Sequence, residues 1–340
     1  MDVDLTEDQE LFAQTTRKFL AAEAPIATVR ALESNAGGFD RRYWKAGCEL
    51  GWTAMLVAEA DGGGSISGEG RGILDVVLVA EEMGRAVAPG PLVPTNVVAH
   101  ALAVGGTAAQ RARWLPGIVS GDVIGAWVTT NGGGVEAGAQ ADLFVVGTPD
   151  GPRLVPADAD GVVVTPWESL DLVRRYASVS IPEGAGEPLS ITGEALQRIA
   201  VTLQCAETCG VVDRVFGLTL EYMDDRYSFG RPLASYQALK HRVADDKMLL
   251  EACHAITTAA ARAIADDAPN ASELMLAAKA FVGATATDIV QDCVQLHGGI
   301  GVTWEHDLHL YLRRATVNRA MYGTPNQTRA TLAKMILGAA

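Results

Sequence analysis

QLHGGIG, residues Gln295–Gly301, closes a long helical pattern with three glycines in four positions, and RRA at 313–315 and MYGTPNQ at 321–327 follow it. Glycine after a helix takes positive φ and lets a ligand approach the backbone. A single C-cap glycine would end the helix, so the excess points to a ligand. The run is not a dinucleotide fingerprint, because it follows a helix rather than a strand.

Working outward, the chain upstream of this run is helical in long stretches: about Glu194 to Asp225, about Tyr236 to Asp266, and from Ser272 as N-cap to about His297. A further helix is expected near Thr324–Leu337. Long helices with short connections predict an antiparallel four-helix bundle over 189–340. Before it, VIGAWVTT, DLFVVGT, RLVPADA, GVVVTP and YASVSI are short β-rich runs separated by Gly, Pro and Asp, which predict a small middle β domain over 121–188. Residues 1–120 read as an N-terminal helical domain. Thr6 and Gln9 form a capping box, Leu11, Phe12, Thr15, Phe19 and Leu20 fall on one face, and helices are expected over 41–50, 73–85 and about 97–104. The glycine-rich Ala60–Gly70 lacks the Gly-Lys-Ser/Thr ending of a phosphate loop and reads as a flexible connection. The fold class is therefore mainly α with a small β domain.

The 340 residues carry a formal net charge of −14, which argues against nucleic acid and anionic membrane surfaces as partners. No apolar run is long enough to span a bilayer, and MDVDLTEDQE lacks the features of a secretory leader. Cys48, Cys205, Cys209, Cys253 and Cys293 are odd in number and lie mostly in helical patterns, so reduced thiols and a cytoplasmic location are expected. Cys205 and Cys209 read as core, since free cysteine is commonly buried. His306 and His309 lack a third ligand at metal spacing, and no metal is expected.

Two further features carry chemistry. In DRYSFGRPLASYQALKHR (Asp225–Arg242), Phe229, Gly230 and Pro232 break two helices, and Arg226 and Arg231 flank the break. Helix ends with an arginine suit an anionic group such as a pyrophosphate, and an adjacent aromatic can stack on a nucleobase. Solvated or paired arginines are the plainer alternative. His297 is a possible acid/base, but a lone His at a helix end is more often a cap or a packed side chain.

Taken in order, LTEDQELF, EADGGG, EEMGRAVAPGPL, RYSFGRP with Gln237, QLHGGIG and RRA resemble the acyl-CoA dehydrogenase family over nearly the whole chain. The spacings of 69 residues from Arg226 to Gln295 and 18 from Gln295 to Arg313 agree with it. The resemblance implies FAD shared across a subunit interface and α,β-desaturation of an acyl-CoA thioester, with a glutamate taking the α-proton. It implies that Arg226, Phe229, Tyr236 and Gln237 touch the adenosine and pyrophosphate of a neighbour's FAD. Gln295, Leu296, His297, Gly298 and Gly299 would continue that contact. Thr324 and Asn326 match positions that contact a subunit's own FAD.

The chain departs from the family at three places. Tyr322 stands where the glutamate is usual, nine residues after Arg313 and directly before Gly323-Thr324. Tyrosine, with a pKa of about 10, is a poor base at neutral pH. The alternative base position, 26 residues before Arg226, is Ala200, and Glu194 and Glu207 are out of register. The flavin-covering signature falls near Val128–Gly138, where only threonines and glycines survive. The catalytic residue is thus unassigned in this chain. The pattern is most similar to the companion subunits of actinobacterial α2β2 acyl-CoA dehydrogenases, in which a partner carries the glutamate; known members act on steroid side-chain CoA esters. A self-sufficient homo-oligomer using Tyr322 or another base, and a non-enzymatic scaffold or acyl-CoA-binding protein, are the alternatives.

Overall fold

The computed structural model describes residues 5–35, 37–130 and 133–338. Helix α1 (Glu7–Glu23) starts at the expected capping box, with Thr6 and Gln9 bonding reciprocally. Of its expected face, Leu20 is buried and Phe12 and Phe19 pack against the core, while Leu11 and Thr15 turn outward. Gln9, Thr16 and Leu20 point inward, while Leu11 is 62% exposed, because Gln9 is drawn inside by Ser67 and Asp75. After α2 (Ile26–Ala31) and α3 (Arg41–Glu49) comes the glycine-rich connection. It is pinned rather than loose. Buried Asp75 accepts from Ser65 Oγ at 2.8 Å and from the Ser67 N–H at 3.0 Å, satisfying a charge that would otherwise be costly to bury.

Helices α4 (Ile73–Arg85), α5 (Leu92–Gly105) and α6 (Ala108–Val119) complete the N-terminal part. Sequence reading missed α6, although Thr107 and Gln110 form a second capping box; Pro116 inside it obscures the pattern.

The β region has two sheets. In one, β1 (Gly125–Val128) lies parallel to β3 (Leu143–Val146), and β4 (Arg153–Pro156) and β7 (Glu187–Pro188) continue antiparallel. In the other, β6 (Tyr176–Ser180) sits between the two-residue β2 (Val135–Glu136) and β5 (Val163–Trp167). Ala126, Val135, Phe144 and Val155 form its small core.

Helix α7 (Gly193–Asp225) leads through a hairpin, β8 (Tyr227–Ser228) and β9 (Arg231–Pro232), into α8 (Gln237–Ala265) and α9 (Ala271–His297). Asn270, not Ser272, precedes the first turn of α9. Then come α10 (Leu308–Ala320), also missed in sequence, and α11 (Pro325–Gly338). Helix α9 packs against α7, α8, α10 and α11. Helix α7 is shared: Leu196, Ile199, Ala200, Leu203 and Ala206 contribute to the N-terminal core, and Val201, Cys205, Cys209 and the Val211–Phe216 stretch to the bundle core.

Helices α4 and α7 cross at unusually close range. A Cβ at Gly84 would lie 1.9 Å from the Glu207 carbonyl oxygen, and one at Gly210 would lie 1.9 Å from that of Glu81. Two reciprocal glycines let the backbones touch beside Glu207, which is buried.

Candidate functional site

The residues expected to touch nucleotide gather at one end of the bundle. The Tyr222 hydroxyl donates to the His297 carbonyl oxygen at 3.2 Å, tying the end of α7 to the end of α9. The helix break is a two-residue hairpin whose apex, Phe229-Gly230, has φ of 50° and 81°. Paired positive φ marks the turn type whose twist suits a hairpin, and it favours Asn-Gly over an aromatic. Phe229 is 97% exposed. Tyr236 braces this hairpin: its hydroxyl donates to the Ser228 carbonyl oxygen at 2.8 Å, and the Arg231 guanidinium lies 3.8 Å from its ring centre.

Arg226, Gln237 and Gln295 are exposed at this end, and their side chains make no hydrogen bond or ion pair among the described residues. The glycines separate by cause. Gly298 needs its φ of 65°, and a Cβ at Gly301 would meet the Val294 carbonyl oxygen at 2.6 Å. Gly299 has neither reason, since a Cβ there meets nothing within 4 Å in this chain. Leu296 and His297 turn their side chains inward, so any contact they make with a ligand runs through backbone. His297 Nδ1 lies 2.8 Å from the Cys293 carbonyl oxygen and its ring stacks on Tyr222; burial lowers its pKa, which does not suit a surface acid/base. An exposed arginine, two free amides, an outward aromatic and an open glycine fit the adenosine and pyrophosphate of a dinucleotide.

Thr324 and Asn326 lie elsewhere. Pro325 packs 3.1 Å from a Cβ placed at Gly283, about 18 Å along α9 from Gln295. Thr324 caps α11 with Gln327, and Asn326 accepts from Arg329.

The position matching the usual glutamate is filled by an aromatic stack. Tyr322, with φ of 56°, lies against Trp127 of β1 with ring centroids 5.5 Å apart and planes 26° from parallel. That separation is direct contact and leaves no room for a third ring between them. Trp127 immediately precedes Val128–Gly138, of which residues 131 and 132 lie outside the described residues. Burial, reinforced by Glu136 and Glu207, pushes the Tyr322 phenol well above its usual 10. Ala200 is fully buried in the N-terminal core. The residues here do not fit an isoalloxazine held by this chain.

Behind Tyr322 lies a buried ionic cluster that no spacing in the sequence reveals. Arg174 donates to Glu136 at 2.5 Å and to Glu207. Arg314 donates to Asp171, to Glu207 at 2.9 Å, and to the Val87 and Ala88 carbonyl oxygens at 3.3 Å. Asn318 donates to Glu207 at 2.9 Å. Glu207 is thus the anchor of an ion network and is not free to act as a base. Burial, with Glu207 nearby, raises the Glu136 carboxyl to about 7, despite Arg174. Glu194 is held at the α7 N-terminus by Ser272 and Arg198.

A third cluster joins α4, α7 and α8. The ligand atoms of Glu81, Asp213 and His254 lie within 4.8 Å of one another, a geometry open to a metal. Arg85 already reaches Asp213 at 2.8 Å and Glu81 at 3.4 Å, and His254 Nε2 lies 3.1 Å from Asp213, so the guanidinium and the imidazole already occupy the carboxylates. His306 accepts from the Leu308 N–H, and His309 stacks on Trp304. All five cysteines are free and buried. No described helix is long and apolar enough to cross a membrane.

The β region set between helical parts is the architecture of the flavin-dependent dehydrogenase fold. The chain belongs to the acyl-CoA dehydrogenase family: the family's N-terminal domain matches residues 6–122 and its C-terminal domain residues 184–337. It is 34% identical to acyl-CoA dehydrogenase IpdE2 of Mycolicibacterium smegmatis over 95% of this chain and 97% of that one. Among solved structures, a variant of the Tcur3481-Tcur3483 steroid ACAD is 27% identical, covers 98% of both chains and superposes with a TM-score of 0.85. Butyryl-CoA dehydrogenase from Megasphaera elsdenii shares the fold, with a TM-score of 0.87 at 20% identity over 99% of this chain and 100% of that one.

Proposed function

We propose that this chain is the companion subunit of a hetero-oligomeric, α2β2-type acyl-CoA dehydrogenase. It completes the FAD site of a glutamate-bearing partner and does not perform the proton abstraction itself. The observation that carries this reading is the contact of Tyr322 with Trp127, where a flavin and an acidic base would otherwise face each other. Arg226, Phe229, Gln237, Gln295 and the Gln295–Gly299 backbone would hold the adenosine and pyrophosphate of the partner's FAD; Tyr236 fixes the hairpin that presents Phe229. FAD, when bound, accepts the hydride from the β-carbon of the acyl-CoA. The likeness to a steroid ACAD supports steroid side-chain CoA thioesters as the substrate class. Tyr322 as the base of a self-sufficient enzyme is disfavoured, because its phenol keeps its proton far above neutral pH.

Co-expression with a glutamate-bearing dehydrogenase subunit tests this. The complex should be yellow, hold FAD and desaturate acyl-CoA, while the lone chain should be colourless and inactive. Robust turnover by the lone chain would sink the reading.

A further inference from the structure

The buried ionic cluster joins all three parts of the chain. From the β region come Glu136 on β2 and, in the loop before β6, Asp171 and Arg174. From the bundle come Glu207 on α7 and Arg314 and Asn318 on α10. From the N-terminal part come the Val87 and Ala88 carbonyl oxygens, in the connection between α4 and α5. Both arginines are at most 3% exposed, and each bridges a carboxylate of the β region to Glu207 of the bundle. Asp171 also accepts from the Val173 and Arg174 N–H groups, which fixes the loop that carries Arg174. The cluster adjoins the Trp127–Tyr322 stack: Asn318, four residues before Tyr322, donates to Glu207 at 2.9 Å, and β2, which carries Glu136, contacts β1, which carries Trp127.

Burying five ionisable side chains is costly unless each finds partners, and a cluster of this kind is weak evidence for added stability. What it fixes is geometry: a planar guanidinium that reaches two carboxylates through different nitrogens demands a defined mutual position of the groups it joins. In this chain the seam between β region and bundle is closed by the cluster and by the Trp127–Tyr322 stack.

We propose that the Glu136–Arg174–Glu207–Arg314–Asp171 cluster is an internal lock that holds the β region on the helices in place of a flavin, so that the chain reaches its assembly-ready conformation with no cofactor of its own. The proposal rests on the reading that this chain's own flavin position is filled.

The test uses the isolated full-length chain, stripped of flavin, and follows hydrogen exchange of β3, β4 and β6 together with thermal melting, each with and without added FAD. The lock requires protected β-region amides in the flavin-free chain, and neither added protection nor a shift in melting with FAD. Arg174→Met should open the β region, speeding its exchange about a hundredfold while the α9 amides stay protected. Adding Glu136→Leu removes the carboxylate left unpaired, Glu207 keeping Arg314 and Asn318, and should recover most of the protection. FAD-dependent protection or melting in the wild-type chain would overturn the proposal, as would a folded Arg174→Met protein with unchanged exchange. If Arg174→Met does not fold, the wild-type arms decide. A colourless co-expressed complex would defeat the companion-subunit reading while leaving these arms intact. A yellow, active complex alongside a flavin-stabilised lone chain would defeat only the lock.

Discussion

Phe229 offers a substitution whose two effects should have opposite signs. Its side chain is 97% exposed and its backbone sits at φ of 50°, so within this chain it contributes almost no packing and carries left-handed strain. Asparagine adopts that conformation more readily, and Asn-Gly is the favoured pair for this turn, so Phe229→Asn should stabilise the isolated chain by about 0.5–1 kcal/mol. In the complex the same change removes an aromatic surface. Burying roughly 150–200 Å² of it at about 25 cal/mol per Å² sets a ceiling near 4–5 kcal/mol. Partial contact and ordering costs reduce this to about 1–3 kcal/mol, the usual worth of stacking a base on an aromatic, or a loss of roughly 5- to 150-fold in FAD affinity. Urea denaturation of the lone chain and flavin fluorescence on dilution of the complex read the two effects separately. A destabilised lone chain would mean that Phe229 packs internally. Unchanged flavin retention would mean that the hairpin apex does not touch the cofactor.

Tyr322→Phe keeps the ring against Trp127 and removes only the hydroxyl, so the complex should keep its kcat; a drop of a hundredfold or more would restore Tyr322 as the base. Gly210→Ala drives a Cβ to within 1.9 Å of the Glu81 carbonyl oxygen and should cost about 3 kcal/mol or more, read as a lowered urea midpoint. Burial pulls the His254 pKa down, but the bond to Asp213 and the charge of Glu81 outweigh it and hold the imidazolium above its usual range. Its contribution is therefore complete below about pH 6.5 and is lost as pH rises through the folded pKa. Denaturation curves between pH 6 and 9 should fall more steeply for the wild type than for His254→Gln, and parallel curves would refute the assignment.

What was legible in the sequence was whatever repeats locally. Capping residues, helical periodicity and β-rich runs bounded by glycine and proline each act over a few positions, and the elements at 7–23, 41–49, 73–85 and 193–225 follow from them. Helices α6 and α10 were missed for local reasons too: Pro116 interrupts one, and the charged stretch around Arg313 and Arg314 disguises the other, because Arg314 is buried against distant carboxylates. The same cause hid the ionic cluster, whose members lie between residues 136 and 318 and share no spacing rule. The inward turn of Gln9 and the pinning of the glycine-rich loop by Asp75 likewise depend on partners about sixty residues away or on a burial that no window shows.

The residues proposed to face nucleotide divide into two groups, and that division bears on assembly. Arg226, Phe229, Gln237 and Gln295 stand exposed at one end of the bundle, without internal partners, and Gly299 leaves open space beside them. Thr324 and Asn326, about 18 Å away along α9, are used by this chain for capping α11 and bonding Arg329. A chain that bound a whole dinucleotide alone would need both groups free and a gap at Tyr322. One that lends half a site needs only the outward group free, and can let its inner positions be taken over by helix capping, aromatic packing and ion pairs. That asymmetry is the pattern the proposed companion role requires, with the outward group lent to a partner's site and the inner positions given over to packing.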